Sequence, residues 1–214
     1  MLRRGLYVIL DQEVLRAEAL EPVELATALC ELPLAALQWR AKESGSRDIL
    51  AMLRVLVPLC QNRGVPFFAN DRADLAALAG CDGVHVGQHD MRVGEVRKAF
   101  PRLQIGVSTH DLEQLQSALP ERPDYVAFGP VFPTASKRDP EATTGLAALE
   151  QASAQVGATP LVAIGGIEMD SARQVARLAT AGAVIGGIVR GAGSVPEAVL
   201  RARALHDALS YGTL

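Results

Sequence analysis

The sequence predicts an α/β fold built as a single (β/α)8 TIM barrel over residues 1–214, and three observations carry that expectation. A short apolar run, a turn and an amphipathic helical pattern recur eight times along the chain. The units follow one another without a long linker or low-complexity stretch, and no shift in composition marks a domain boundary. Polar and glycine-rich tripeptides sit directly after the apolar runs, where a parallel barrel gathers its chemistry. A doubly wound open sheet is the runner-up, because periodicity does not show whether the sheet closes.

The strand candidates are Leu6–Leu10, Ala35–Arg40, Val65–Ala69, Gly83–Gly87, Gln104–Val107, Tyr125–Phe128, Leu161–Ile164 and Ala183–Gly186. Each is short and rich in β-branched, aromatic or aliphatic residues, as strands buried on both faces require. Helical patterns lie between them near 22–31, 46–62, 73–79, 92–99, 111–118, 145–155, 170–180 and 195–210. The clearest begins at Ser46, a candidate cap, and carries Ile49, Leu50, Leu53, Leu56 and Val57 on one face. Asp111 opens the pattern at 111–118 with the acidic start that suits a helix N-terminus.

Hydrophobic residues make up 49% and charged ones 21% of the chain, the composition of a globular protein. The net charge of −3 and the lack of a basic, aromatic-interleaved stripe argue against nucleic-acid binding. The N-terminal residues run straight into a strand pattern without a cleavable signal, and no apolar run reaches a membrane span. Cys30, Cys60 and Cys81 have no metal-ligand or redox spacing and are expected to be reduced and buried, so the expected location is cytoplasmic. The expected partners are small molecules, with a homodimer left open and neither nucleic acid nor membrane.

The ends of the strand candidates hold the chemistry. Gln38, Arg40 and Lys42 alternate with Trp39 and Ala41, so the three polar groups share one face and suit an anion. Asn70 and Asp71 follow the third strand, and Asp90 follows the fourth. Each aspartate alone suits a helix cap, but on adjacent rims the pair suits Mg²⁺ bridging to a diphosphate. His85 and His89 lack the further ligands a zinc site needs. Ser108 and His110 end the fifth strand without a nucleophile-elbow pattern, which favours a phosphate-binding hydroxyl. After the sixth strand, Gly129 and Pro130 lead to Thr134, Ser136 and Lys137, two hydroxyls and an ammonium suited to an oxyanion. Gly165-Gly166 and Gly186-Gly187 follow the seventh and eighth strands, the usual phosphate site of barrels.

These segments, in this order, resemble the thiamine-phosphate synthase family over nearly the whole chain. The carriers are Gln38-x-Arg40-x-Lys42, Asn70-Asp71-Arg72-Ala-Asp74, Gly83-Val-His-Val-Gly-Gln-His-Asp90, Gly106-Val-Ser108, Gly129-Pro-Val-Phe-Pro-Thr134-Ala-Ser136-Lys137 and Ala163-Ile-Gly-Gly166. The resemblance implies a transferase of thiamine biosynthesis that joins hydroxymethylpyrimidine diphosphate to hydroxyethylthiazole phosphate. It assigns Gln38, Arg40, Lys42, Asn70, Ser108 and Lys137 to the pyrimidine diphosphate, and Asp71 and Asp90 to Mg²⁺. Thr134, Ser136, Gly166, Gly186 and Gly187 fall to the thiazole phosphate, and the catalytic set is Lys137, Arg40 and Ser108. Two departures stand out: Ser136 replaces a threonine common in the family, and Gly186-Gly187 replaces a pair that carries a serine. The alternatives are a thiazole tautomerase-like isomerase, which resembles the family but has a histidine where this chain has Pro130, and a non-catalytic barrel that binds thiamine intermediates.

Overall fold

The computed structural model describes residues 2–134 and 142–210. Eight parallel strands close into a barrel in chain order, β1 pairing with both β2 and β8. They are β1 (Gly5–Asp11), β2 (Ala36–Arg40), β3 (Phe67–Asn70), β4 (Gly83–Val86), β5 (Gln104–Thr109), β6 (Tyr125–Phe128), β7 (Leu161–Ile164) and β8 (Ala181–Val184). The outer layer is α1 (Gln12–Ala17), α2 (Pro22–Leu29), α3 (Ser46–Gln61), α4 (Ala73–Ala79), α5 (Val93–Ala99), α6 (Leu112–Ala118), α7 (Gly145–Gln155), α8 (Met169–Leu178), α9 (Gly186–Val189) and α10 (Val195–Ser210). Closure excludes the open-sheet alternative.

Large side chains fill the barrel because neighbouring strands make room for them. Tyr7, Phe68 and Tyr125 meet with ring centroids 5.4 to 6.0 Å apart, and the Phe68–Tyr125 pair is edge-on. A Cβ at Gly106 would lie 2.0 Å from the Tyr125 ring, and one at Gly83 would lie 2.4 Å from Phe68. Those two glycines, which weaken a strand on propensity alone, are spaces for the rings.

Several boundaries differ from expectation by a residue or two, and some of the differences have a clear physical reason. β3 starts at Phe67 because Pro66 has no N–H for the ladder and offers only its carbonyl, to Leu37. β8 comes two residues early, at Ala181, with Gly182 inside it, because α10 approaches so closely that a Cβ there would lie 2.8 Å from Leu209. The following Gly186 and Gly187 are therefore not a strand end but the first residues of the short helix α9. The first helical residue of α3 is Ser46 itself, with Gly45 at the cap position, whereas Asp111 caps α6 through Gln114 N at 2.7 Å as expected. The three cysteines are free and buried, with the sulfurs of Cys30 and Cys60 3.5 Å apart.

Candidate active site

The C-terminal ends of the strands open into two adjoining cavities. The first, about 270 Å³, is lined by Gln38, Arg40, Lys42, Asn70, Asp71, His85, Asp90 and Ser108. The alternation argument for β2 thus holds: Gln38, Arg40 and Lys42 face one space, while Trp39 is buried on the other side of the strand. The second, about 400 Å³, is lined by Thr134, Gly165, Gly166, Gly186, Gly187 and several apolar side chains. Ser108, His110, Ile164 and Ile185 belong to both and form the wall between them.

The most deeply buried polar side chains of the first cavity have partners, as burial demands. Gln38 is 2% exposed and donates from Nε2 to the Tyr7 hydroxyl at 2.8 Å. Arg40 forms an ion pair with Asp11, which β1 places directly beside it in the strand register. Asp11 is itself buried, and its other oxygen accepts from the N–H groups of Glu13 and Val14 at 3.1 Å, capping α1. One carboxylate therefore fixes a helix and anchors a guanidinium, leaving the remaining Arg40 donors for the cavity. Asp11 was missed in the sequence because it ends an apolar run and looks like a simple cap.

Asp71 and Asp90 are brought together. Asp71 sits at φ 61°, left-handed backbone that costs a non-glycine residue roughly 1 kcal/mol or more, with its N–H bonded to the His85 carbonyl. Burial, then the Asp90 charge beside it, push the Asp71 carboxyl above the ordinary aspartate range, partly offset by Lys42 at 3.5 Å. Neither aspartate caps a helix: the cap positions are Arg72 for α4 and Arg92 for α5, and Asp90 instead accepts from Gly87 N at 2.7 Å. Two repelling carboxylates on adjacent rims suit a cation that prefers a few carboxylates together with phosphate oxygens and water. Among the described residues no group of three or more acidic, histidine or cysteine side chains could hold a metal alone.

His85 is committed to Tyr125 and Ser108, with each ring nitrogen at 2.8 Å, which removes it from any zinc site with His89. His110 turns Nδ1 to the Gly129 carbonyl at 2.7 Å, away from pairing with Ser108. The serine does have a histidine neighbour, but it comes from β4 rather than from the next residues of its own strand. Sequence proximity could not reveal that contact.

The glycines after β7 have a packing role as well. Val131 and Phe132 donate to the carbonyls of Ile164 and Gly165 at 2.9 and 3.0 Å, seating the loop after β6 against β7. Gly166 has φ 63°, and a Cβ there would lie 2.4 Å from the Pro133 carbonyl oxygen. At Gly187 a Cβ would lie 2.9 Å from the Ile167 carbonyl oxygen, so the missing side chain there leaves a backbone contact room. Thr134 lines the second cavity, whereas Ser136 and Lys137 lie outside the described residues. Arg190, beyond α9, and Arg201, on α10, also line this cavity and were not singled out in the sequence.

Comparison with known proteins matches this arrangement. A profile of the family described as thiamine monophosphate synthase matches residues 6–188. The chain belongs to that family. It is 38% identical over 205 residues to a thiamine-phosphate synthase of Anaeromyxobacter dehalogenans, covering 95% of this chain and 88% of the relative. It is 43% identical over 175 residues to a thiamine-phosphate synthase of Thermus thermophilus, covering 82% of each. The solved structure of a thiamine phosphate pyrophosphorylase from Pyrococcus furiosus superposes with a TM-score of 0.85 at 29% identity, over 98% of this chain and 97% of the other.

Proposed function

We propose that this chain is a thiamine-phosphate synthase, a transferase that joins hydroxymethylpyrimidine diphosphate to hydroxyethylthiazole phosphate and releases diphosphate. The observation that carries the reading is the pair of adjoining cavities with Ser108 in their common wall. One brings together cations and carboxylates, and the other is lined by glycine backbone and apolar groups together with Glu168, Arg190 and Arg201, so two different phosphorylated substrates could lie with their reacting ends together. The bond from the pyrimidine's methylene carbon to the diphosphate oxygen breaks, and the thiazole nitrogen attacks that carbon. Such a reaction needs charge stabilisation and alignment more than a protein nucleophile.

Charge supports a cation in the first cavity. Arg40 and Lys42 face Asp71 and Asp90, and Asp11 backs Arg40, so the described charges do not favour a diphosphate unaided. Mg²⁺ held by Asp71 and Asp90 would offset the charge growing on the departing diphosphate. Arg40, held by Asp11, presents its free donors to that anion in a fixed orientation. Lys42 is 53% exposed and stands 3.5 Å from the half-buried Asp71, and solvent screening of its ammonium weakens that pair, so the ammonium is readily drawn to the diphosphate. In this reading Asn70 and Ser108 orient the pyrimidine diphosphate and Lys137 adds a further charge. Thr134, Ser136, Gly166 and the N–H groups of Gly186 and Gly187 receive the thiazole phosphate.

The isomerase alternative is not favoured: Pro130 has no proton to shuttle, and its carbonyl is tied to Thr144 N at 2.8 Å. The cytoplasm is the location we assign; no described helix is long and apolar enough to cross a membrane. Incubating both substrates with Mg²⁺ and measuring thiamine phosphate and diphosphate tests the function. Equal yields of the two products support it, and failure to form thiamine phosphate overturns it. Light scattering of the same preparation tests the homodimer.

A further inference from the structure

Five side chains from five strands form one hydrogen-bonded chain through the barrel, and both of its ends lie in the charged cavity. Gln38 Nε2 donates to the Tyr7 hydroxyl; the Tyr7 and Tyr125 hydroxyls meet; Tyr125 meets His85 Nδ1; and His85 Nε2 meets Ser108 Oγ. Every link is 2.8 Å long. Tyr7 and Tyr125 are 1% exposed, so no solvent substitutes for a missing partner. Burial raises both phenol pKa values, and both hydroxyls keep their hydrogens.

The hydrogens can be placed one by one. An amide nitrogen only donates, so Tyr7, receiving from Gln38, sends its single hydrogen to Tyr125. Tyr125 then sends its own to His85 Nδ1, which must be a bare lone pair. The imidazole proton therefore sits on Nε2 and is donated to Ser108 Oγ. The serine's own hydrogen is left for the cavity. Turning the Gln38 amide over would reverse every link, and His85 Nε2 would then accept from Ser108 as a general base accepts from a nucleophile.

We propose that Tyr7, Tyr125 and His85 are positioning residues that set the polarity of the site, making Ser108 a hydrogen-bond donor to the bound substrate and leaving Gln38 Oε1 as the acceptor at the other end. The link to turnover rests on the function proposed above; the placement of the hydrogens does not. The chain also explains how a serine can stand beside a histidine here without being activated: Tyr125, not a carboxylate, backs the ring, and the proton lies on the nitrogen that faces the serine. A substrate whose group at Ser108 accepts, such as a phosphate oxygen, is matched by this polarity, whereas one that must donate there is opposed.

The test is ¹⁵N NMR of the histidine side chains in the full-length protein, with His85 assigned through His85→Gln. The expected wild-type state is the tautomer protonated on Nε2. Gln38→Glu puts an acceptor-only group at the head of the chain and should move the proton to Nδ1. Tyr125→Phe removes the central link, should mix the two tautomers, and should lower kcat on the order of tenfold with KM much less affected. A wild-type His85 protonated on Nδ1, or a tautomer unchanged by both Gln38→Glu and Tyr125→Phe, would overturn the proposal. If the tautomers behave as expected but no variant, nor the wild type, forms thiamine phosphate, the function is refuted and the polarity of the chain stands.

Discussion

Asp11 offers the sharpest separation of structure from chemistry in this site. Its two roles can be removed one at a time. Asp11→Asn keeps an oxygen able to cap α1 but removes the charge facing Arg40, while Asp11→Ala removes both. The lost cap costs about 1 kcal/mol. Orphaning a fully buried charge costs about 3–5 kcal/mol, and because Arg40 keeps 15% of its side chain exposed we take the lower end, about 3 kcal/mol. Asp11→Ala should therefore lose about 4 kcal/mol, or roughly 8–16 °C in Tm for a chain of this size. Asp11→Asn keeps the cap through its one oxygen but turns an NH2 donor toward the guanidinium, so it should lose most of the about 3 kcal/mol assigned to the charge. Its effect should extend to function, because an untethered Arg40 must be ordered again by each diphosphate: kcat/KM should fall roughly tenfold for each 1.4 kcal/mol of that cost. Thermal melts and steady-state kinetics, completed by a double-mutant cycle with Arg40→Met, measure each quantity. An Asp11→Asn protein with the parental Tm and kcat/KM would show that the ion pair neither supports the fold nor orients Arg40.

The two carboxylates assigned to Mg²⁺ should trade stability for function. The Asp71 pKa is raised in the folded protein, so its favourable contribution is complete below the unfolded pKa and is lost as pH rises through the raised value. In metal-free protein Asp71→Asn should therefore melt above the parent at neutral pH, with the gap closing in acid, while turnover at limiting Mg²⁺ should fall sharply in both Asp71→Asn and Asp90→Asn; full activity at limiting Mg²⁺ in both variants would remove the metal role. Gly166→Val should abolish thiazole phosphate binding and also lower Tm, since its Cβ would lie 2.4 Å from the Pro133 carbonyl oxygen and 2.8 Å from Phe132 Cβ. Gly187→Ser adds a hydroxyl but meets the Ile167 carbonyl at 2.9 Å, so titration calorimetry should find no gain in affinity for the thiazole phosphate. Lys137→Ala should lower the single-turnover rate by about 10² or more while weakening pyrimidine diphosphate binding less, and a variant that lost only affinity would make Lys137 a binding residue alone.

What the sequence made legible follows the reach of each signal. Strand and helix periods are local, and they placed all eight strands and most of the outer helices; the exceptions were too short or too apolar to show a period, as with Gln12–Ala17 behind Asp11 and Gly186–Val189. The alternation of Gln38, Arg40 and Lys42 was legible because a strand has only two faces. Asp71 and Asp90 were legible as neighbours because consecutive strands of a barrel are adjacent, and their shared cavity follows from that topology. Tyr7 and Tyr125 were not legible as polar groups at all. In sequence each is an aromatic in an apolar run, indistinguishable from packing, and only the closed barrel brings the two hydroxyls, 118 positions apart, to hydrogen-bond distance.

The same contrast explains why the interior tolerates them. A lone buried hydroxyl or imidazole would cost about 1–3 kcal/mol for want of a partner, so Tyr7, Tyr125 or His85 placed there alone would be a defect. Linked end to end, each satisfies the next, and the only groups left over are at the two ends, where a substrate can take them up. Removing one middle member therefore does more than delete a bond: it strands two neighbours in a dry core and frees the orientation of the rest. A chain with its open valences confined to the cavity links the packing of the barrel centre to the chemistry at its rim. That is why conservative substitutions at Tyr7 and Tyr125, which line neither cavity, should be felt at Ser108.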